Sequence, residues 1–210
     1  CFNLACPGFP FSRVHVLRDE IPKALAFGIK GWRVESVPHW GSLSPTFYVA
    51  AKLMWDPAAD PDALVRDFAE RFFGPAGAPM HSYLARMDAA LRDADHHTGS
   101  SFNMPDFYPP ALRAAARREL EAAARLAPDA PFAARVAAFR LTFDALEAFI
   151  AMLDARNAQD WAGAKAAHDR VMALGAEAYR HDPPLMSERA FTSYMRRFWS
   201  QATLDGFARV

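Results

Sequence analysis

The sequence predicts a mainly α-helical protein, a helical bundle preceded by the last strand and helix of an α/β domain. Three observations lead to this fold class. Val14 and Val16 alternate at the period of a strand, just before a helical stripe. Residues 29–35 are rich in β-branched and aromatic side chains, which predicts a second short strand. From about Pro45 onward, the apolar residues recur with helical spacing.

The composition is that of an ordinary globular protein. Hydrophobic residues make up 52% of the 210 positions and charged residues 23%, enough for a buried core and unlike a disordered chain. Lys plus Arg and Asp plus Glu number 24 each. A net charge of zero argues against binding to nucleic acid or to an anionic membrane through bulk charge, and no apolar run reaches the roughly 20 residues of a membrane span. We therefore expect no nucleic-acid partner and no membrane partner.

The sequence lacks the common cofactor and metal motifs. No GxSxG, Walker A, GxGxxG or HExxH pattern occurs. The two cysteines, Cys1 and Cys6, are too few for a disulfide framework or a zinc site. The acidic and histidine cluster over 93–97 does not have metal-ligand spacing and is interpreted as a solvated helix end. We expect no cofactor and no metal.

The N-terminal segment predicts one helix between two strands. Leu17, Ile21 and Leu25 form an i, i+4, i+8 stripe, and Gly28 stands where a helix C-cap glycine belongs. The strand over 29–35 would need neighbours on both edges, and no other convincing strand follows it. The sequence therefore predicts that further strands lie upstream, in a longer parent protein.

The remainder predicts successive helices. Asp60 followed by Pro61 is typical of a helix start, Gly74 followed by Pro75 of its end, and Ser187 of the N-cap of the last helix. Helices are predicted over about 45–55, 61–73, 80–94, 110–127, 131–156, 158–180 and 187–203. The helix over 131–156 is apolar nearly all round, which predicts that it is the central helix of the bundle.

Glu35 is the most promising candidate for function. It ends a predicted parallel strand, the position at which α/β barrels build their active sites. A carboxylate there could accept hydrogen bonds from sugar hydroxyls. Alternatively, Glu35 pairs with Arg33, its neighbour on the same face of the strand.

Aromatic residues surround the same loop. Trp32, His39 and Trp40 offer flat rings with a polar edge, which suit stacking on a sugar, although such rings more commonly fill cores. His39 and Trp40 are the stronger candidates because they lie outside any periodic stripe. Tyr48 and Trp55 are interpreted as packing residues.

Three blocks of sequence also carry a family resemblance. They are residues 28–35 (GIKGWRVE), 47–57 (FYVAAKLMWDP) and 60–76 (DPDALVRDFAERFFGPA). In this order they resemble a bacterial domain family of unknown function, found in proteins similar to α-glucuronidases and β-N-acetylhexosaminidases. The resemblance covers about residues 13–92 well and the later helices only loosely.

The resemblance implies that residues 1–57 are the C-terminal end of a (β/α)8 barrel and that residues 58–210 are a helical C-terminal domain. It implies that Glu35 is the last-strand glutamate that binds sugar hydroxyls, and not the catalytic acid. Arg33 departs from the hexosaminidase pattern, which has tryptophan there. A bacterial secreted or periplasmic location, with any signal peptide in the missing N-terminal part, and a carbohydrate partner bound through the parent barrel are further implications. A homodimer is possible.

The expected function follows from these points. A glycosidase needs two carboxyl groups about 5–9 Å apart, and the sequence nominates only one binding carboxylate and no catalytic residue. We expect the C-terminal part of a carbohydrate-active, glycoside-hydrolase-like protein, with Glu35, Trp40, His39 and Arg33 on one side of a sugar site. The alternative is a free-standing all-α interaction or structural module without enzyme activity.

Overall fold

The computed structural model of the chain describes residues 8–33, 39–95, 103–181 and 184–197. Within these residues the fold is mainly α-helical, as predicted, and contains no strand. The helices are α1 (Val14–Ala26), α2 (Trp40–Trp55), α3 (Pro61–Phe73), α4 (Gly77–Arg92), α5 (Met104–Phe107), α6 (Pro110–Leu126), α7 (Phe132–Asn157), α8 (Trp161–Arg180) and α9 (Glu188–Arg197). A 3-10 turn, Gly74–Ala76, joins α3 to α4. None of these helices is long and apolar enough to cross a membrane.

Local capping signals set several helix ends. The Asp60 side chain accepts a hydrogen bond from the Asp62 amide at 3.0 Å, and α3 begins at Pro61, as the sequence predicts. The Ser187 hydroxyl accepts from the Ala190 amide at 3.2 Å at the start of α9. Gly74 adopts a positive φ of 54° and ends α3. The hydrogen bonds that set these boundaries join residues at most four positions apart. The sequence pattern could therefore predict the boundaries without knowledge of the tertiary structure.

Helix α7 is the centre of the bundle, as predicted. Twelve of its 26 residues are buried, and they cover more than half of the circumference of the helix. It packs along α8 and contacts α2, α3 and α6. Arg117 of α6 binds Asp144 at 2.5 Å and also binds Glu147, so ion pairs tie α6 to α7.

The predicted strand at residues 14–16 is wrong, because this segment is the first turn of α1. Val14, Leu17 and Ile21 are buried with i, i+3, i+7 spacing, whereas Leu25 of the predicted stripe is exposed. Two valines at alternate positions fit one turn of a helix as well as a strand. The spacing of Val14 and Val16 alone therefore could not distinguish a helix from a strand.

The predicted strand over 29–35 is not observed in its described part, residues 29–33. Helix α1 ends at the predicted glycine: Gly28 has a φ of +82°, and its amide donates to the Leu25 carbonyl at 2.8 Å. The Ile29 amide donates to the Ala24 carbonyl at 3.1 Å, which completes a Schellman motif. The apolar Ile29 thus folds back on α1, and residues 30–33 make no backbone hydrogen bond to another described residue. Glu35 lies outside the described residues.

The described residues on both sides of position 57 share one hydrophobic core. Phe9, Leu17 and Leu43 belong to the same buried cluster as Phe73 and Phe139. Helix α1 contacts α4, and α2 contacts α3 and α7. The α1–α2 segment is therefore a packed part of the helical assembly.

Candidate functional site

Trp40 is the exposed aromatic residue at the start of α2. Its ring lies 5.0 Å from that of Phe47, centroid to centroid, at an interplanar angle of 61°. Despite this contact, 54% of the Trp40 surface stays exposed. The ring is therefore supported on one side and accessible on another.

Backbone contacts fix the start of α2. The Gly41 amide donates to the Leu185 carbonyl at 2.9 Å. A Cβ atom at Gly41 would lie 2.9 Å from a methyl group of Thr142 in α7, so only glycine allows this close approach. The backbone that carries Trp40 is held between α7 and the segment before α9.

His39 belongs to this anchor and not to an open surface. Its side chain is 1% exposed, and its Nδ1 atom accepts a hydrogen bond from the Ser187 amide at 3.2 Å. An accepting Nδ1 carries no proton, which fixes the ring's hydrogen-bonding role at that atom. In this conformation the ring contacts its own chain and has no face exposed to a sugar, and it helps to hold the start of α2, where Trp40 lies.

The other predicted aromatic and charged site residues do not gather around Trp40 in the described structure. Arg33 is exposed, whereas Glu35 lies outside the described residues. Trp32 lines the same groove as Met54, near the C-terminal end of α2. Trp40 and Met54 are fourteen positions apart, about 21 Å at about 1.5 Å per helical residue. Trp32 and Trp40 therefore do not form one aromatic platform.

Helices α1 and α2 run in parallel and end at the same edge of the fold. Near their starts, the Arg13 amide donates to the Thr46 hydroxyl at 3.3 Å. Near their ends, Ile21 and Leu25 line a groove together with Met54. The C-terminal ends of both helices therefore lie together.

This edge carries an apolar surface, which we name the end face. It consists of Leu25, Phe27, Ile29, Trp32, Met54 and Trp55, all exposed. Phe27 is 85% exposed and Trp55 90%, so the predicted packing role of Trp55 is wrong. A groove of about 170 Å³ opens here, with Ile21, Ala24, Leu25, Ile29, Lys30, Gly31, Trp32 and Met54 as its walls. The sequence contained one indication of the end face. The apolar residues between positions 27 and 32 do not continue the helical spacing that would bury them against the core.

A second cluster combines Ser12, His15 and Asp88. The Ser12 hydroxyl donates to the Asp88 carboxylate at 2.5 Å, and His15 Nδ1 lies 2.8 Å from the same oxygen. Burial alone would raise the pKa of the Asp88 carboxyl, but hydrogen bonds from His15 and Ser12 outweigh it and hold this pKa below its ordinary value. A nucleophilic triad needs a serine bonded to the histidine, whereas here both bond to the aspartate. The cluster is therefore structural, and its 73-residue separation left no sequence signal.

Comparison with known proteins adds one relationship. Residues 1–85 match a domain of unknown function. The matching family model is described as Domain of unknown function (DUF4838) and covers less than half of the chain. The match supports the predicted domain of unknown function, and the matched region contains Trp40 and the whole end face. No curated protein and no solved structure matches the chain.

Proposed function

We propose that this chain is the C-terminal part of a carbohydrate-active, glycoside-hydrolase-like protein, with two roles. It contributes one side of a sugar-binding site, and its helices form a structural domain. The observation that carries the proposal is Trp40, a half-exposed aromatic ring on a backbone held by His39, Gly41 and their partners. A fixed, accessible ring is what stacking on the apolar face of a sugar requires.

The roles of the other residues follow from their chemistry. Arg33 is exposed and can donate hydrogen bonds to sugar hydroxyls, while Glu35 would accept them. His39 positions the start of α2. We assign binding to these residues and no catalytic step, because glycoside hydrolysis needs a pair of carboxyl groups across the bond.

The barrel-end origin of residues 1–57 remains part of this proposal. It is supported by residues 29–33, which have exposed apolar side chains and, from Lys30 onward, no backbone partner among the described residues. Exposed Ile29 and Trp32 are what a segment separated from its neighbouring strands would show.

Calorimetric titration of the full-length parent protein tests the sugar site, because this chain contributes only one side of it. The probes are N-acetylglucosamine and glucuronate, the sugars of the two enzyme classes in the resemblance. We expect Trp40→Ala to weaken binding by about 1 kcal/mol, roughly fivefold. Glu35→Gln should cost about 1.5–3 kcal/mol, as for a charge-assisted hydrogen bond.

Trp55→Ala is the matched control. Trp55 is even more exposed than Trp40 but lies at the other end of α2, so binding should not change. Equal losses for the two tryptophan variants, or no binding of either sugar, would contradict the proposal. We also expect no hydrolysis of aryl glycosides by the chain, and turnover that Glu35→Gln abolishes would overturn the binding-only role.

A second candidate is a free-standing all-α interaction module without enzyme activity. The end face favours it, because large exposed apolar patches mark interaction sites. The titration separates the two candidates, since an interaction module would bind neither sugar.

A further inference from the structure

A cavity of about 70 Å³ lies between the starts of α1 and α2 and the helices α3 and α4, at the opposite end of α1 and α2 from the end face. Val14, Val65 and Met87 form part of its apolar wall. Ala85 of α4 both lines the cavity and is exposed, so the cavity opens to solvent beside this residue. A cavity of this volume holds several water molecules or one small organic molecule.

The Asp88 carboxylate lines this cavity, and its two oxygen atoms differ. Oδ1 accepts all three hydrogen bonds of the structural cluster, from the Ser12 hydroxyl at 2.5 Å, from His15 Nδ1 at 2.8 Å and from the His15 amide at 3.2 Å. Oδ2 accepts no hydrogen bond from a described residue, although a carboxylate oxygen accepts roughly two. Asp88 therefore brings an oxygen with unused accepting capacity to the cavity wall.

This carboxylate is ionised at neutral pH. Burial opposes its charge, but the bonds from His15 and Ser12 outweigh burial and hold the pKa of Asp88 below its ordinary value. His81 also lines the cavity, seven positions before Asp88 on α4 and so about 10 Å away along the helix axis.

The two other charged residues of the wall already have partners. Asp62 pairs with Arg18 at 2.5 Å, and Arg92 pairs with Asp93 at 2.7 Å. Both pairs lie at exposed positions, where water screens them. Asp88 is therefore the carboxylate of the wall that combines burial with an available oxygen.

We propose that this cavity binds a small primary amine in its ammonium form. The ammonium group donates to Asp88 Oδ2, and a short apolar chain lies against Val14, Val65 and Met87. An ammonium group carries three N–H donors and a full positive charge, so it matches a free carboxylate oxygen better than a neutral hydroxyl does.

The wall also argues against two other occupants. Water alone could donate to Oδ2, but it would leave the apolar side chains of the wall in contact with solvent. An anionic ligand would bring its charge against that of Asp88, which is unfavourable inside a protein. A ligand with one cationic end and one apolar end satisfies both parts of the cavity.

An NMR titration of the full chain with propylammonium tests the proposal, because every described wall of the cavity belongs to this chain. Propanol and propionate are the matched probes, of similar size but neutral and negative. We expect saturable shifts of the Ser12, Thr46 and Asp88 amides with propylammonium, about tenfold weaker binding of propanol and no binding of propionate.

Two variants locate the bound ammonium group. Asp88→Asn keeps an acceptor oxygen for the His15 amide but replaces the free oxygen by a donor, and it should weaken propylammonium binding about tenfold or more. Ala85→Phe narrows the mouth of the cavity and should weaken binding several-fold. Ser82→Phe is the control, because Ser82 is exposed on the same helix and does not line the cavity.

Four results would overturn the proposal. They are equal binding of the three probes, propylammonium binding that survives Asp88→Asn, equal effects of Ala85→Phe and Ser82→Phe, and the lack of any saturable shift in the wild type. The last result would mean that water alone occupies the cavity. The comparison of probes uses the wild-type chain, so it stands even if a variant fails to fold.

This inference does not depend on the sugar site. Neither Trp40 nor Arg33 lines the cavity, and the sugar site is tested by titration of the parent protein with free sugars. Either result can fail while the other stands.

Discussion

The Asp88 carboxylate of α4 accepts a hydrogen bond from the His15 backbone amide in the first turn of α1, with 3.2 Å between nitrogen and oxygen. The N-cap residue of α1, Arg13, provides no side-chain cap. One of the free amides at the start of α1, that of His15, is therefore satisfied from another helix, 73 residues away, whereas the Val14 amide donates to the Ser12 hydroxyl at 3.3 Å. The negative charge of Asp88 also lies at the positive end of the α1 dipole.

Removal of this cap should destabilise the fold. We expect Asp88→Ala to lower the free energy of unfolding by about 1–3 kcal/mol, because a buried cap and its bonds to Ser12 and His15 are lost. Asp93→Ala is the control at the C-terminal end of the same helix, since Asp93 is exposed and, among the described residues, forms a surface salt bridge with its neighbour Arg92. Urea denaturation of both variants measures the difference, and equal effects would contradict a capping role for Asp88.

The stabilising effect of Asp88 should also depend on pH. The folded-state pKa of this carboxyl lies below the unfolded value of 3.8, so its contribution is present above that value and is lost as the pH falls through the lower folded pKa. The stability difference between the wild type and Asp88→Ala should therefore be largest near pH 7 and shrink by about pH 2. A difference that stays constant over this range would show that the charge of Asp88 does not matter.

Two neighbouring residues of α2 should respond oppositely to truncation. Trp55 is 90% exposed and Leu53 is 1% exposed. We expect Trp55→Ser to change the free energy of unfolding by less than about 0.5 kcal/mol, and Leu53→Ala to cost about 2–5 kcal/mol. Thermal unfolding measures both variants. A large loss for Trp55→Ser would mean that its ring packs against the chain in solution.

Two glycines at and just after the C-cap of α1 differ in backbone conformation, which allows the cost of the left-handed cap to be measured. Gly28 has a φ of +82° and Gly31 does not have a positive φ, while a Cβ at either position would meet no atom within 4 Å. We therefore expect Gly28→Ala to cost about 1 kcal/mol through backbone strain alone, and Gly31→Ala to be close to neutral. Urea denaturation decides this, and equal effects would exclude the left-handed cap.

Two buried tyrosines, Tyr83 and Tyr108, allow the contribution of a hydrogen bond in the core to be measured. The Tyr108 hydroxyl donates to the Pro10 carbonyl at 3.0 Å, whereas the buried Tyr83 hydroxyl has no hydrogen-bond partner among the described residues. Burial raises the pKa of Tyr83, so its hydroxyl stays protonated at neutral pH. We expect Tyr108→Phe to cost about 1–2 kcal/mol and Tyr83→Phe to be neutral or slightly stabilising. A Tyr83→Phe loss as large as that of Tyr108→Phe would reveal a partner for Tyr83 in solution.

The parts of the fold that could be predicted depend on neighbours in sequence. The Asp60 cap, the Gly28 cap and the Ser187 cap each involve residues within five positions, and all three are observed. The central position of α7 followed from its largely apolar surface, since a helix with only a narrow polar face must be buried on most of its sides. The strand predictions, one wrong at residues 14–16 and one not observed over residues 29–33, lacked such signals, because strand preference depends on packing against neighbouring strands.

The candidate site was predicted in composition but not in arrangement. His39 and Trp40 are adjacent in sequence, yet one ring is buried and the other exposed. The bond to Ser187 that buries His39 joins residues 148 positions apart. The exposure of Trp55 and the groove beside Met54 likewise follow from the parallel packing of α1 and α2.

The sequence by itself determined the helical class, the caps of α1, α3 and α9 and the centre of the bundle, because these depend on hydrogen bonds and apolar periodicity within a few residues. Only the tertiary structure decided where α1 begins, which aromatic rings reach the surface and which residues share the end face. Asp88, Ser187 and Met54 act on segments far from them in sequence, and no local pattern records such contacts.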